Sequence, residues 1–210
     1  MATKSQSNVT PPKGPALKAA CLREALEAIR EKGVEALSLR DVARRLKVSH
    51  QAPYKHFTSK DHLLAEVIRE CLYNFAEALR QSAWDSNGNK LSPTESMDNL
   101  GLAYLNYAAK NPLEYRLMFM TTWPETARTV GLSKDARASF DILCSRLAGI
   151  KDYSSPQQRD KDAMFVWSTI HGIASVLESE AMNYLSFDEE TAREAVDHVR
   201  ALIDHAIHAS

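Results

Sequence analysis

The sequence predicts an all-α fold of about nine helices, and three observations support that class. Glycine is scarce, at 7 of 210 residues, while alanine and leucine are abundant, and this balance favours helix over strand. Apolar residues recur at helical spacing, and no segment alternates with the period of two that a half-buried strand requires. Several helix starts also carry capping residues in the correct order.

The predicted helices follow a polar, proline-containing arm over residues 1–15, which we expect to be disordered. They are placed at residues 16–32, 39–46, 49–56, 59–82, 93–109, 112–121, 133–150, 156–184 and 188–208. Ser92, Asn111 and Ser155 each precede a proline and have Glu or Gln three residues later, as an N-cap does. Ser38 and Asp41 form a similar capping pair before the second helix.

Charge is distributed unevenly along the chain. Residues 1–60 contain 12 Lys/Arg and 5 Asp/Glu, a difference of +7, whereas residues 61–210 contain 14 and 22, a difference of −8. A basic first part on an acidic body suggests that the first part alone meets a polyanion. This division predicts three parts: an arm over 1–15, a basic domain over 16–60 and an acidic helical domain over 61–210.

The cysteines exclude two classes of small domain. Cys21, Cys71 and Cys144 are odd in number and far apart, without CxxC or Cys/His ligand spacing, so neither a disulfide framework nor a metal site is expected. Reduced, buried thiols fit a cytoplasmic protein. The N-terminus lacks the apolar core of a signal peptide, and no window is apolar enough for a membrane span.

Two short helices, at residues 39–46 and 49–56, are predicted to form a basic hairpin with a tight turn at Lys47 and Val48. Leu39, Val42, Ala43 and Leu46 form an apolar stripe that the neighbouring helices can cover. This arrangement describes a helix-turn-helix, whose second helix can lie in the DNA major groove. From residue 40 to residue 60 there are six Lys/Arg against one acid, Asp41.

The polar side chains of the hairpin match the chemistry of DNA. Ser49 is the expected N-cap of the second helix, whose free N–H groups favour a phosphate. Gln51 can pair with adenine through two hydrogen bonds, and His50 can donate to a base acceptor. The DNA-binding candidates are Ser38, Arg40, Lys47, Ser49, His50, Gln51, Ala52, Tyr54, Lys55, His56 and Lys60. Charge and periodicity alone also allow a helical interaction module that never binds DNA.

The run from Gly33 to Ile68 resembles the DNA-binding domain of the tetracycline-repressor (TetR) family of bacterial transcription regulators. Its most specific part is the pattern Y-x-x-F-x-x-K-[DE]-x-L, from Tyr54 to Leu63. The resemblance implies that Tyr54 and Lys60 hold phosphates while positions 49–52 face the bases. Lys47 stands where the family usually has a turn glycine, so this residue must reach its backbone conformation without glycine's freedom.

Aromatic residues and methionine concentrate in the acidic body, and they suit either a plain core or the lining of a small-molecule cavity. The pattern W-S-x-x-H-G, from Trp167 to Gly172, is similar to the WHG-type C-terminal domain of some TetR-family members, which implies an effector cavity. The ligand-binding candidates are Tyr104, Tyr107, Tyr115, Met118, Phe119, Trp123, Phe140, Trp167 and His171.

The last two predicted helices carry long apolar stripes. In the TetR family such a pair meets its copy in a four-helix bundle, and the candidates for that seam are Ala174, Leu177, Ala181, Val196, Val199, Ile203 and Ile207. A physical reason for a homodimer is independent of the resemblance, because one hairpin contacts few base pairs while two at fixed spacing read a palindrome.

These features together predict a ligand-responsive repressor that binds a palindromic operator as a homodimer. An apolar or aromatic effector would release it. The alternative is an all-helical small-molecule-binding protein or enzyme without DNA binding. We expect no enzyme activity, cofactor or metal, because the sequence has no nucleophile–base constellation and no phosphate loop, and because His198, His205 and His208 have poor ligand spacing.

Overall fold

The computed structural model describes residues 12–179, 184 and 189–209, and this part of the chain is helical. Its eight α-helices are α1 (Pro15–Lys32), α2 (Leu39–Arg45), α3 (Lys60–Gln81), α4 (Pro93–Lys110), α5 (Pro112–Phe119), α6 (Leu132–Ile150), α7 (Pro156–Leu177) and α8 (Glu189–Ala209). Short 3₁₀ turns occur at Val34–Ala36, Pro53–Lys55 and Glu125–Ala127. The all-α prediction is confirmed, and none of the described helices is long and apolar enough to cross a bilayer.

The prediction of a helix at residues 49–56 is wrong. The structure has turns in this region and the short 3₁₀ segment Pro53–Lys55. Pro53 is the physical reason. In an α-helix capped by Ser49, the N–H of residue 53 would make the first bond to the Ser49 carbonyl, and proline has no N–H. The Ala52 N–H bonds to that carbonyl instead, at 2.9 Å, which closes a tighter turn.

Of the four predicted capping pairs, which begin at Ser38, Ser92, Asn111 and Ser155, two form and two do not. Ser92 Oγ accepts from the Glu95 N–H at 3.4 Å while the Glu95 carboxylate accepts from the Ser92 N–H at 3.0 Å, so this capping box is confirmed. Ser155 Oγ likewise accepts from the Gln158 N–H at 3.2 Å. Asn111 instead donates its side-chain amide to the carbonyl of Tyr107 at the end of α4, at 3.0 Å.

The pair of Ser38 and Asp41 forms no capping box. Ser38 occupies the N-cap position of α2 with extended backbone, but its side chain makes no capping hydrogen bond. The carboxylate of Asp41 accepts from Arg44 and Arg45 on the next turn of the same helix instead. The two guanidinium groups offer charge-assisted hydrogen bonds, which are stronger than a bond to the neutral backbone amide.

The described residues divide into two compact units, and the first comprises residues 12–69 and 122–132. Its core is built from the apolar faces of α1, α2 and the start of α3, with Phe57, Leu63 and Val42 completely buried. Glu66 is the charged residue of this core. Its carboxylate accepts from Lys18 at 3.2 Å and from Arg69 at 2.7 Å, which compensates its burial.

The second unit comprises residues 70–121 and 133–209, so α3 contributes its first ten residues to the first unit and the rest to the second. Phe75, Tyr115 and Leu147 are completely buried at its centre. The helix predicted to reach residue 184 ends at Leu177. All three cysteines are buried.

Candidate nucleic-acid interface and ligand cavity

The turn after α2 has the geometry of a Schellman motif. The Val48 N–H bonds to the Ala43 carbonyl at 3.0 Å, and the Lys47 N–H bonds to the Arg44 carbonyl at 3.1 Å. Lys47 therefore occupies the position that is usually glycine, and it has φ 54°, the positive value of the left-handed region. It is the only non-glycine residue with positive φ in the described part of the chain. A cation is thus held at the tip of the turn at the expense of backbone strain.

The segment after the turn presents its polar side chains to solvent because its apolar ones are anchored. Pro53 and Phe57 are buried, four residues apart, and Phe57 is completely inaccessible. Tyr54 lies between these anchors and is 44% exposed. At the end of the segment, His62 Nδ1 accepts from the Thr58 N–H at 3.1 Å and fixes the entry into α3.

Most of the predicted DNA-binding residues are accessible. Ser38, Ala52, His56 and Lys60 are half-buried, whereas those exposed are Arg40, Lys47, Ser49, His50, Gln51, Tyr54 and Lys55. Arg40, His50, Gln51 and Tyr54 line one shallow surface recess, which brings a guanidinium, an imidazole, an amide and a phenol together. These groups supply the donors that phosphate oxygens and base edges accept.

Three of the six cations in this region are committed to the fold. Arg45 donates to Asp41 at 2.9 Å and to Glu31 of α1 at 3.0 Å, while Arg44 also donates to Asp41. These bonds lower the pKa of the Asp41 carboxyl to about 2. Lys60 donates to the backbone carbonyl of Glu35 at 2.8 Å.

The other three, Arg40, Lys47 and Lys55, make no ion pair with any described residue and are exposed. They are the cations most available to a phosphate backbone, because binding a phosphate would break no ion pair within the described residues. The positive charge available to a phosphate backbone is therefore smaller than the six cations of the sequence suggest, because three of them have partners inside the fold.

An aromatic cluster occupies the centre of the second unit. The ring of Phe75 meets Tyr104, Tyr107 and Phe119 edge to face, with centroids 5.0, 5.1 and 5.7 Å away. Trp167 also meets Tyr104 edge to face, at 5.5 Å. Such contacts stabilise the cluster beyond the burial of its area.

The imidazole of His171 forms a polar contact within this cluster. The hydroxyls of Tyr104 and Tyr115 both contact Nδ1 of His171, at 2.9 and 2.8 Å. Burial lowers the pKa of His171 and raises that of Tyr104, so the neutral forms are favoured. A neutral imidazole whose Nε2 carries the proton has one acceptor, which the two hydroxyls must share.

Eight of the nine predicted ligand-binding residues lie in the second unit. Tyr104, Tyr115 and Met118 are buried there, whereas Tyr107, Phe119, Phe140, Trp167 and His171 are half-buried. Trp123 falls in the segment 122–132, which is grouped with the first unit.

A cavity adjoins the cluster, between α4, α6, α7 and α8. Of the predicted ligand-binding residues only Tyr104 and Trp167 line it. Most of the other lining side chains are aliphatic, and Ser139 is a buried polar member. Asp98 and Arg200, whose charged groups are 3.6 Å apart, mark its solvent-exposed side. No spacing rule in the sequence identifies Ser139, because a single serine in a helix carries no periodic signal.

The predicted dimer residues lie on different sides of their helices. Ala174, Ile203 and Ile207 are buried within the single chain, and Val196 is half-buried as part of the cavity wall. Leu177 is 40% exposed and Val199 is half-buried. Ala181 lies outside the described residues. Among those described, no group of three or more His, Cys, Asp or Glu could hold a metal ion.

Two family profiles match the chain. The profile described as "Bacterial regulatory proteins, tetR family" matches residues 22–67. The profile described as "Tetracyclin repressor-like, C-terminal domain" matches residues 97–205, which is 109 of the 210 residues.

Known proteins are similar over parts of the chain. The chain is 26% identical to the HTH-type transcriptional activator FasR of Mycolicibacterium smegmatis over 132 residues, which cover 60% of this chain and 58% of FasR. It is 42% identical to the HTH-type transcriptional repressor Rv3405c of Mycobacterium tuberculosis over 50 residues, 24% of this chain and 27% of that protein. Both relatives are therefore matched over less than two thirds of their length.

A solved structure from Rhodococcus sp. RHA1, described as a protein of unknown function, shares the fold. Its TM-score is 0.69, and the alignment covers 90% of this chain and 96% of that one at 23% identity.

Proposed function

Because the chain belongs to the TetR family of bacterial regulatory proteins, we propose that it is a ligand-responsive transcriptional regulator that binds a palindromic operator as a homodimer. The observation that carries this proposal is the exposed recess formed by Arg40, His50, Gln51 and Tyr54. Arg40 lies on α2, whereas the other three side chains project from a segment that buried Pro53 and Phe57 hold in place.

In the proposed complex, Arg40, Lys47, Lys55 and the Tyr54 hydroxyl contact phosphates, while His50 and Gln51 read base edges. Lys60 is less free to reach a phosphate than its position in the motif implies, because its ammonium group already donates to the Glu35 carbonyl. The 3₁₀ turn presents few residues, so one copy reads a short half-site. A second copy is then needed for specificity.

The outward faces of α7 and α8 support a homodimer. Phe165 is 47% exposed, Val176 52% and Leu202 52%, and large apolar side chains so exposed on neighbouring helices favour association. We assign the seam to these residues together with Leu177 and Val199. The inward-facing Ile203 and Ile207 instead support the helix from within the chain.

We further propose that a small molecule bound in the second unit releases the operator, which makes the protein a repressor in the cytoplasm. The helix α3 contributes to both units, and a continuous helix can transmit a displacement that a ligand induces. The ligand shifts the population of dimers towards a geometry whose two hairpins no longer match successive major grooves.

Footprinting on the DNA upstream of the protein's own gene tests the proposal. We expect two protected half-sites related by two-fold symmetry and about one helical turn apart. Tyr54→Ala should weaken operator binding about 10-fold, whereas Tyr73→Ala, which truncates an exposed tyrosine further along α3, should leave it unchanged. A single protected half-site, or equal effects of the two substitutions, would count against the proposal.

A further inference from the structure

The cavity between α4, α6, α7 and α8 is suited to hydrocarbon. Its walls include Leu100, Leu143, Ile150, Val166 and Ile170. Aliphatic walls favour a ligand that buries apolar area, and they offer no partner for a charge.

Ser139 gives this cavity a single buried hydroxyl. The residue is 1% exposed, and its Oγ has no hydrogen-bond partner among the described residues. A helical serine commonly donates to the carbonyl four residues earlier, as Ser145 on the same helix does to Asp141 at 2.8 Å. Ser139 makes no such bond, so its buried hydroxyl lacks the acceptor that a ligand in the adjoining cavity would supply.

The charged residues of the lining disfavour an anion. Asp98 and Asp204 contribute two carboxylates and Arg200 one guanidinium. Arg200 already lies 3.6 Å from Asp98 and 4.0 Å from Asp197. A carboxylate ligand would therefore meet more negative than positive charge, and it would have to compete for an arginine that is already paired.

The helix α8 forms one wall of this cavity and also carries part of the proposed seam. Val196, Ile203 and Ile207 line the cavity from α8, while Leu202 on the adjacent side of the helix is 52% exposed. The end of α8 is held where Lys151 donates to the Ile207 carbonyl at 2.9 Å. A ligand that fills the cavity therefore contacts the helix that we assign to the dimer.

We infer that the effector is an uncharged aliphatic molecule with an oxygen acceptor, which binds in this cavity, accepts a hydrogen bond from Ser139 and acts on the dimer through α8. The effector role rests on the proposed function, whereas the binding site does not. The aromatic cluster forms one end of the cavity through Tyr104 and Trp167, so the two features adjoin.

Calorimetry on the full-length, DNA-free protein tests the site, with 1-octanol as the neutral probe and octanoate as its anionic counterpart. We expect octanoate to bind at least ~10-fold more weakly than 1-octanol. Ser139→Ala should weaken 1-octanol binding ~3- to 10-fold, the effect of one lost hydrogen bond, while the matched variant Ser145→Ala changes nothing. Equal or tighter binding of octanoate, or no difference between the two serine variants, overturns the inference.

A second pair of variants tests the location. A Cβ added at Gly101 would lie 3.7 Å from Ile170 Cδ1, an ordinary contact, and both residues line the cavity. Gly101→Leu should fill the space and abolish 1-octanol binding, whereas Gly101→Ala should retain affinity within about 3-fold. Retained binding in the leucine variant would place the ligand elsewhere and refute the assignment.

The effector role is tested separately by adding 1-octanol to the operator complex. We expect release of the DNA at concentrations that saturate the cavity, and no release from Gly101→Leu. Binding of 1-octanol without release would refute the effector role. Failure of every variant to footprint any operator would instead defeat the proposed function and leave the calorimetric result intact.

Discussion

Substitutions of Lys47, the strained residue at the tip of the turn, should change the free energy of unfolding and the affinity for DNA in different ways. Lys47 has φ 54°, and the left-handed conformation costs an L-residue about 1–2 kcal/mol. Glycine removes that strain but loses about 0.5–1 kcal/mol through its freer unfolded chain. Lys47→Gly should therefore raise the free energy of unfolding by about 0.5 kcal/mol.

The comparison with Lys47→Ala makes this test sharper, because both variants lose the same charge. Alanine keeps the backbone strain, so we expect the glycine variant to be more stable than the alanine variant by the same margin of about 0.5 kcal/mol in urea denaturation. If the two variants are equally stable, or alanine is the more stable, the assignment of backbone strain to this turn is refuted.

The same two variants report on the DNA contact. Each should bind the operator more weakly than the wild type and to the same extent, since each lacks the exposed ammonium group. If Lys47 contacts a phosphate, the slope of log affinity against log salt should fall by about one per protomer. An unchanged slope would remove Lys47 from the proposed interface while leaving the stability argument untouched.

Three other perturbations follow from contacts of the fold. Asp41→Asn should lower the free energy of unfolding at neutral pH. The pKa of Asp41 is lowered to about 2, so the difference in stability between wild type and variant should be complete above the ordinary carboxyl pKa. It should vanish as the pH falls from about 4 towards 2. Lys151→Ala removes the bond to the Ile207 carbonyl, and hydrogen exchange at the end of α8 should become faster by about 10-fold, corresponding to about 1.5 kcal/mol. Leu202→Glu should weaken the homodimer at least ~10-fold in sedimentation analysis, while the equally exposed Met120→Glu should not.

Helix existence and several caps could be predicted because their causes are local. Ser92 and Ser155 cap their helices through atoms three residues away, so the sequence contains every group involved. The helix at residues 49–56 fails for a local reason too, since Pro53 lacks the one N–H that the fourth helical residue must donate. The missing N–H of Pro53 is therefore enough to predict a turn here rather than an α-helix.

The parts of the site that escape prediction depend on which partner covers a side chain. The period of α8 identifies Ile203 and Ile207 as one apolar face, but it cannot say whether the chain's own cavity or a second copy covers that face. The sequence shows Arg45 only as one of the basic residues of the hairpin. The structure shows that its guanidinium donates to Glu31 of a different helix. Ser139 cannot be identified from the sequence either, because its place in the cavity depends on neighbours from other helices.

The exposed recess also bears on how such a regulator can evolve. His50 and Gln51 are solvent-exposed, and within the described residues no hydrogen bond or ion pair of either side chain supports the fold, while Pro53 and Phe57 anchor the backbone beside them. Replacement of those two side chains should therefore leave folding almost unaffected. If His50 and Gln51 read base edges as proposed, their mutation can change the DNA sequence that the protein binds without passing through an unstable variant.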